Sequence, residues 1–275
     1  MTRKNYFELI QDMGFDPYKE MDNLIALLEK KEYLGRNSYG SSLEETISDL
    51  FLSYKNRGTI ISYSNMINHI QRNIPNKTQQ LFVFSEFLED FFKELWEELT
   101  DEEQQFFFIL DKNIMTFLEL SNHELITLEN GNQIIVEKNV YASEVSQIVS
   151  ETSIQDAIKV LEYNHFANKG NIERKKEILI SLAAYLEPLK DELNASEELK
   201  EVMKVNNNKI IAVAKLFDMY NNLGLRHNNN EQYHLKMTEE ELEQWYDDIY
   251  TSTLFVILSL DEARILSKLK TLRNG

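Results

Sequence analysis

Apolar residues in this chain fall mostly three and four positions apart, in runs separated by short polar breaks, which is the spacing of helices that bury one face. Met21, Leu24, Ile25 and Leu28 follow it, so a first helix is expected to start at Asp16-Pro17 and to end near Gly35. Ser41 or Ser42 can cap the next, with Glu44 and Glu45 in its first turn beside the positive end of the helix dipole, and Gly58 should stop it. A further helix is predicted over 62–73, ahead of Pro75. From Thr78 to Ser121 the stretch is rich in aromatics: Phe82, Phe84, Phe87, Phe91, Phe92, Trp96, Phe106, Phe107, Phe108 and Phe117. A helix pair broken at Thr100-Asp101 accounts for them, because Thr100 followed by Glu103 is a capping box. The carboxylates of this stretch are Glu86, Glu89, Asp90, Glu94, Glu97, Glu98, Asp101, Glu102 and Glu103, and they are assigned to the opposite, solvated face. No histidine accompanies them, and hard-cation sites draw their ligands from separate elements, so a metal site is not expected there.

The period changes once. Between Glu124 and Glu137, two β-branched runs flank Asn130-Gly131, which predicts a β-hairpin with a tight turn. An isolated hairpin is marginal in water, so it must lean on helices. A domain boundary is expected just after it, around 138–142, separating a helical domain, 1–140, that ends in the hairpin at about 124–137 from a helical bundle, 141–275. In the bundle, helices are predicted over 153–168, from 172 to about 193 with Pro188 as a kink or late break, over 196–205, and over 208–223 with Gly224 as its C-terminal cap. Thr238 and Glu241 form a second capping box that opens a closing helix, whose last turns carry Arg264, Lys268, Lys270 and Arg273. The fold class is therefore expected to be mainly α, with one hairpin.

Composition narrows the chemistry. Only 8 glycines and 3 prolines in 275 residues leave little room for the turns of a sandwich or barrel. With no cysteine, disulfides, thiolate metal sites and cysteine nucleophiles are excluded. Gly-rich phosphate loops, zinc motifs and serine-nucleophile elbows are absent, so neither metal nor cofactor is expected. The first residues lack an apolar signal region and no apolar run approaches the roughly 20 residues of a membrane span, so a cytoplasmic protein without a membrane anchor is expected. A net charge of −17 disfavours a broad nucleic-acid surface, though a local cleft remains compatible with it.

Candidate chemistry concentrates between Asn221 and His234, where five asparagines, two histidines and Arg226 lie between two apolar-periodic segments. His69, His123 and His165 stand apart from it. Asparagine accepts left-handed backbone and binds its own main chain, so the segment can equally be an interhelical junction that satisfies itself. Tyr233 can stack on a base or pack against the closing helix.

The stretch from Ala167 through Glu177, the run Ala184 to Leu189, and Phe217 through Asn229 resemble the HEPN (higher eukaryotes and prokaryotes nucleotide-binding) superfamily, particularly the C-terminal domains of abortive-infection-like proteins. Many members of that superfamily are metal-independent ribonucleases whose arginine and histidine face each other across a homodimer. The resemblance implies a HEPN-like bundle, Arg226 in the arginine position, His227 or His234 as its partner, and Asn222, Asn228 or Asn229 orienting the substrate. His227 directly adjoins Arg226 while His234 follows after seven residues, a departure from the family spacing. The function this implies is RNA cleavage or processing in phage defence, with RNA as substrate. Two alternatives belong to other classes: a noncatalytic interaction module that binds a protein partner through the aromatic N-terminal half, and a nucleotide-binding domain in which Arg226 holds phosphates.

Overall fold

Pro17 at the first position and the Asp16 carboxylate accepting from the Tyr18 amide at 3.0 Å start the first helix of the computed structural model, which describes residues 14–31, 40–226 and 233–274. This helix, α1, spans Pro17–Glu29 and ends sooner than the expected stop near Gly35, because Lys30 already takes an extended backbone; Gly35 itself lies outside the described residues. The chain divides into two compact units, Met1–Glu137 and Lys138–Gly275. Both are mainly helical, and no helix among the described residues is long and apolar enough to cross a membrane.

In the N-terminal unit, α2 (Leu43–Leu50) is capped by Ser42 rather than Ser41, through a full capping box with Glu45. It ends before the expected Gly58, because Phe51 and Tyr54 turn into the core beside Phe87. A 3-10 turn, Lys55–Arg57, fills the interval, and Gly58 follows with φ +59°. Next come α3 (Tyr63–Asn73), α4 (Lys77–Glu94) and α5 (Asp101–Leu120), the last opened by the Thr100–Glu103 box. The aromatic series builds the core: Phe87 lies 5.7 Å from Tyr54 and from Phe91, ring to ring, and Phe92 stacks on Phe107 at 4.5 Å. Of the phenylalanines from Phe82 to Phe108, only Phe108 is exposed, so this series offers little surface to a protein partner.

The hairpin is present as β1 (His123–Thr127) and β2 (Gln133–Glu137), antiparallel with Leu125 opposite Ile135. Its tight turn contains Asn130-Gly131, as expected. The Gly131 amide bonds Leu128 O at 2.9 Å, the Leu128 amide bonds Asn132 O at 2.8 Å, and only Gly131 is left-handed, at φ +88°. That is a three-residue loop with glycine at its third position, the next most common way to join two strands without splaying them.

The acidic series is not a solvated face throughout, which corrects the expectation. Glu97, Glu98, Asp101 and Glu102 are exposed, but Glu89 and Glu103 are buried. Glu86 accepts the Ile135 amide at 2.7 Å and Asp90 the Gln133 amide at 2.9 Å, so α4 satisfies the open edge of β2. Glu103 closes its capping box with one oxygen and accepts the Thr46 hydroxyl at 2.5 Å with the other.

The C-terminal unit opens with a helix that was not expected, α6 (Val140–Ser150), capped by Asn139 and packed on α7 (Ile154–Glu162). Asn171 caps α8 (Ile172–Leu186), and Pro188 acts as a break rather than a kink, falling in a 3-10 turn, Glu187–Leu189, that ends the helix before 193. Two short helices follow, α9 (Lys190–Ala195) and α10 (Glu197–Val202). The break expected between 205 and 208 is a miniature hairpin that also takes in the adjoining ends of the two predicted helices: β3 (Val205–Asn206) pairs with β4 (Lys209–Ile210), and Asn207 and Asn208 turn between them at φ +47° and +61°. α11 (Ile211–Asn222) therefore starts later than predicted. The last helix, α12 (Glu239–Asn274), begins at the Thr238–Glu241 box and packs on α6, α8 and α11 around a core that includes Leu182, Leu216, Tyr220, Tyr246 and Ile257.

Candidate functional site

The polar junction leaves α11 through a left-handed glycine. Gly224 has φ +74°, and the Leu225 amide reaches back to Tyr220 O at 3.1 Å, the bond of a Schellman cap; Leu225 is then buried. This anchors the backbone just before Arg226. The guanidinium pairs with Glu187, donates to Asn221 Oδ1 at 3.4 Å and lies 5.6 Å above the Phe217 ring. Lys190 approaches the same ring, its Nζ 4.5 Å from the centroid. Arg226 thus ties the end of α11 to the 3-10 turn after α8. Its side chain is 15% exposed and that of Glu187 is 54% exposed.

The other expected site residues do not join it. Asn222 turns back along α11 and donates to the Asp218 carbonyl and carboxylate, both at 2.9 Å. His227, Asn228 and Asn229 lie outside the described residues, as does the side chain of His234, whose backbone belongs to the 3-10 turn Tyr233–Lys236. Tyr233 is exposed rather than packed on α12. Of the remaining histidines, His123 bonds Ser121 O at 2.7 Å and its ring meets Phe82 at 4.6 Å, while His165 lies against Phe166. Among the described residues, no three His, Asp or Glu side chains gather as a metal-ligand set.

A second polar cluster went unnoticed in the sequence. Lys175, on α8 and only 6% exposed, bonds Glu243 at 2.8 Å and Asp247 at 2.7 Å, both on α12. The Gly170 amide donates to the same Glu243 oxygen at 2.7 Å, and the Tyr163 hydroxyl donates to Asp247 at 2.8 Å. Tyr163 stacks on Tyr250 at 3.9 Å; Tyr250 donates to Val160 O at 2.6 Å and accepts from Asn164 at 2.8 Å. Burial, reinforced for Tyr163 by Asp247, raises both phenols well above their ordinary range and keeps them protonated. Burial alone would raise the Glu243 carboxyl, but the Gly170 amide and the Lys175 ammonium outweigh it and hold it below the ordinary value. These bonds clamp α7, α8 and α12 together. The signal that marks it is the place of Lys175 on the face that also carries Ile172, Ile178, Leu179 and Leu182, where a charge must find partners.

No model of a known protein family, no curated protein and no solved structure matches this chain.

Proposed function

We propose that the C-terminal unit is a HEPN-like helical module that works by binding a protein partner rather than by cutting RNA. The observation that carries this reading is the engagement of Arg226. Metal-independent cleavage needs a cation over the phosphorane, with a base for the 2′-hydroxyl and an acid for the leaving oxygen. The guanidinium is instead committed to Glu187, Asn221 and the Phe217 ring, which makes it a fastening between α11 and the end of α8. With the purified chain, RNA is expected to stay intact, and Arg226→Ala should cost about 1 kcal/mol of stability, as for a partly exposed ion pair, with no change in that result. RNA cleavage that disappears in Arg226→Ala would overturn the reading.

One observation favours a second reading, nucleotide binding. Lys190 and Arg226 both approach the Phe217 ring, 4.5 and 5.6 Å from its centroid, so two cations lie near one half-exposed carboxylate, Glu187. Calorimetric titration with a nucleotide, repeated on Arg226→Ala and Lys190→Ala, separates the two; heat that vanishes in both variants would establish it.

A further inference from the structure

Between α1, the start of α2, α3 and the start of α4, all in the N-terminal unit, lies a cavity of about 320 Å³, at the small end of the range for small-molecule sites. Met21, Ile25, Ile67 and Phe84 make its walls largely apolar. Gln80, 4% exposed, fixes the frame: its side-chain amide donates to Ile74 O at 2.5 Å and accepts from the Lys77 ammonium at 2.8 Å. Lys77 is the one cation among the lining residues, and it is turned to Gln80 rather than to a carboxylate.

Two carboxylates, Glu29 and Glu44, also line the cavity, and neither forms an ion pair among the described residues. Lys30 and Lys31 directly follow Glu29 in the chain, yet Lys30 lies 5.7 Å from the Phe106 ring centroid and Lys31 pairs with Glu45 at 3.5 Å. Glu29 is moreover the last residue of α1, where a carboxylate opposes the helix dipole, and no basic residue in that turn offsets it. The third polar group is Tyr63. It is 7% exposed, with its ring against Phe87 at 6.2 Å, and its hydroxyl has no hydrogen-bond partner among the described residues. A phenol buried to that depth ordinarily has one. Burial, followed by the charges of Glu44 and Glu29, raises this phenol well above its ordinary range, so it stays protonated and its oxygen is a neutral acceptor.

Carboxylates without a counter-ion and a buried oxygen acceptor, set among apolar walls, suit a group that is cationic, rich in N–H donors and carried on an apolar body. A hard metal ion draws on more converging oxygen ligands, and among the described residues no three His, Asp or Glu side chains gather. An anion would face two like charges. We propose that this cavity binds a small organic ammonium compound, its N–H groups donating to Glu29, Glu44 and the Tyr63 hydroxyl and its apolar part lying against Ile25, Ile67 and Phe84. The site belongs to the N-terminal unit and is independent of the reading proposed for the C-terminal one.

NMR titration of the full chain with benzylamine, benzyl alcohol and benzoate tests it, because the three share one apolar body and differ in charge. Benzylamine is expected to bind with a Kd of about 1 mM or tighter, about tenfold more tightly than the alcohol, and benzoate not at all. Its advantage over the alcohol should shrink as salt is raised, since Glu29 is exposed. Tyr63→Phe keeps the ring against Phe87 and should weaken benzylamine roughly threefold to tenfold. Glu29→Gln with Glu44→Gln should reduce benzylamine to the level of the alcohol while leaving the helical circular dichroism unchanged. Equal affinity for amine and alcohol, or affinity for the amine untouched by the two glutamine changes, would overturn the proposal. So would the absence of binding by benzylamine and butylamine alike at about 20 mM, or tighter binding of benzoate, which would assign the cavity to an anion held by Lys77.

Discussion

Glu89 is buried on α4 across from Asp111 on α5, and burial, followed by the charge of Asp111, pushes its carboxyl from the ordinary 4.5 up to about 8. In the unfolded chain this group titrates near its ordinary value, so the folded N-terminal unit holds an extra proton across the interval from 4.5 to about 8. Its contribution to stability is therefore complete below about 4.5 and lost as the pH rises through about 8. Thermal melts of wild type and Glu89→Gln should show this, the wild type losing stability relative to the variant as the pH is raised over that interval. Identical slopes would mean that Glu89 is ionised throughout. Which carboxylates are buried was not legible in the sequence, because α4 is covered by α1, α3, α5 and β2 and has no single solvated face to receive them all. The same holds for Lys175: its apolar face was readable, its two carboxylate partners were not.

At the scale of elements, the signals that read correctly are short-ranged. Ser42, Ser62, Thr100 and Thr238 each accept from the amide three residues on, as the capping pattern requires. Gly224 ends α11 as predicted, and its φ of +74° gives a direct test. Gly224→Ala places a Cβ in a left-handed conformation and should cost about 1 kcal/mol in a denaturant titration. A neutral result would mean that the Schellman cap does not form. The misread elements have separate causes, turn chemistry in one and burial in the other. The break between the helices predicted to end at 205 and to start at 208 is wider than expected, because its consecutive asparagines accept the left-handed turn that a two-residue hairpin needs. By contrast, α2 ends before Gly58 because burying Phe51 and Tyr54 outweighs continuing the helix.

For the whole molecule, each unit has a core of its own, aromatic in the first and mostly aliphatic with buried tyrosines in the second. Residues 138–275 expressed alone should therefore fold cooperatively into a helical protein, as judged by circular dichroism and a single thermal transition. A fragment that stays unfolded would show that the second core depends on the first half of the chain. The candidate site belongs to this scale as well. The asparagine-rich junction stood out in composition and its upstream cap was predictable, yet whether Arg226 was free or fastened depended on how the end of α8 meets the end of α11.

What the sequence by itself determined was local: the mainly helical character, the capping boxes, the hairpin and the Gly224 cap. These follow from residues within a few positions of one another, where propensity and a single hydrogen bond decide the outcome. Tertiary structure decided the pairings. Glu187 lies 39 positions from Arg226, and Glu243 and Asp247 lie 68 and 72 positions from Lys175. No periodicity spans such separations, so only the packing of whole helices brought those charges together, because a buried or half-buried ion is stable only where that packing supplies a partner.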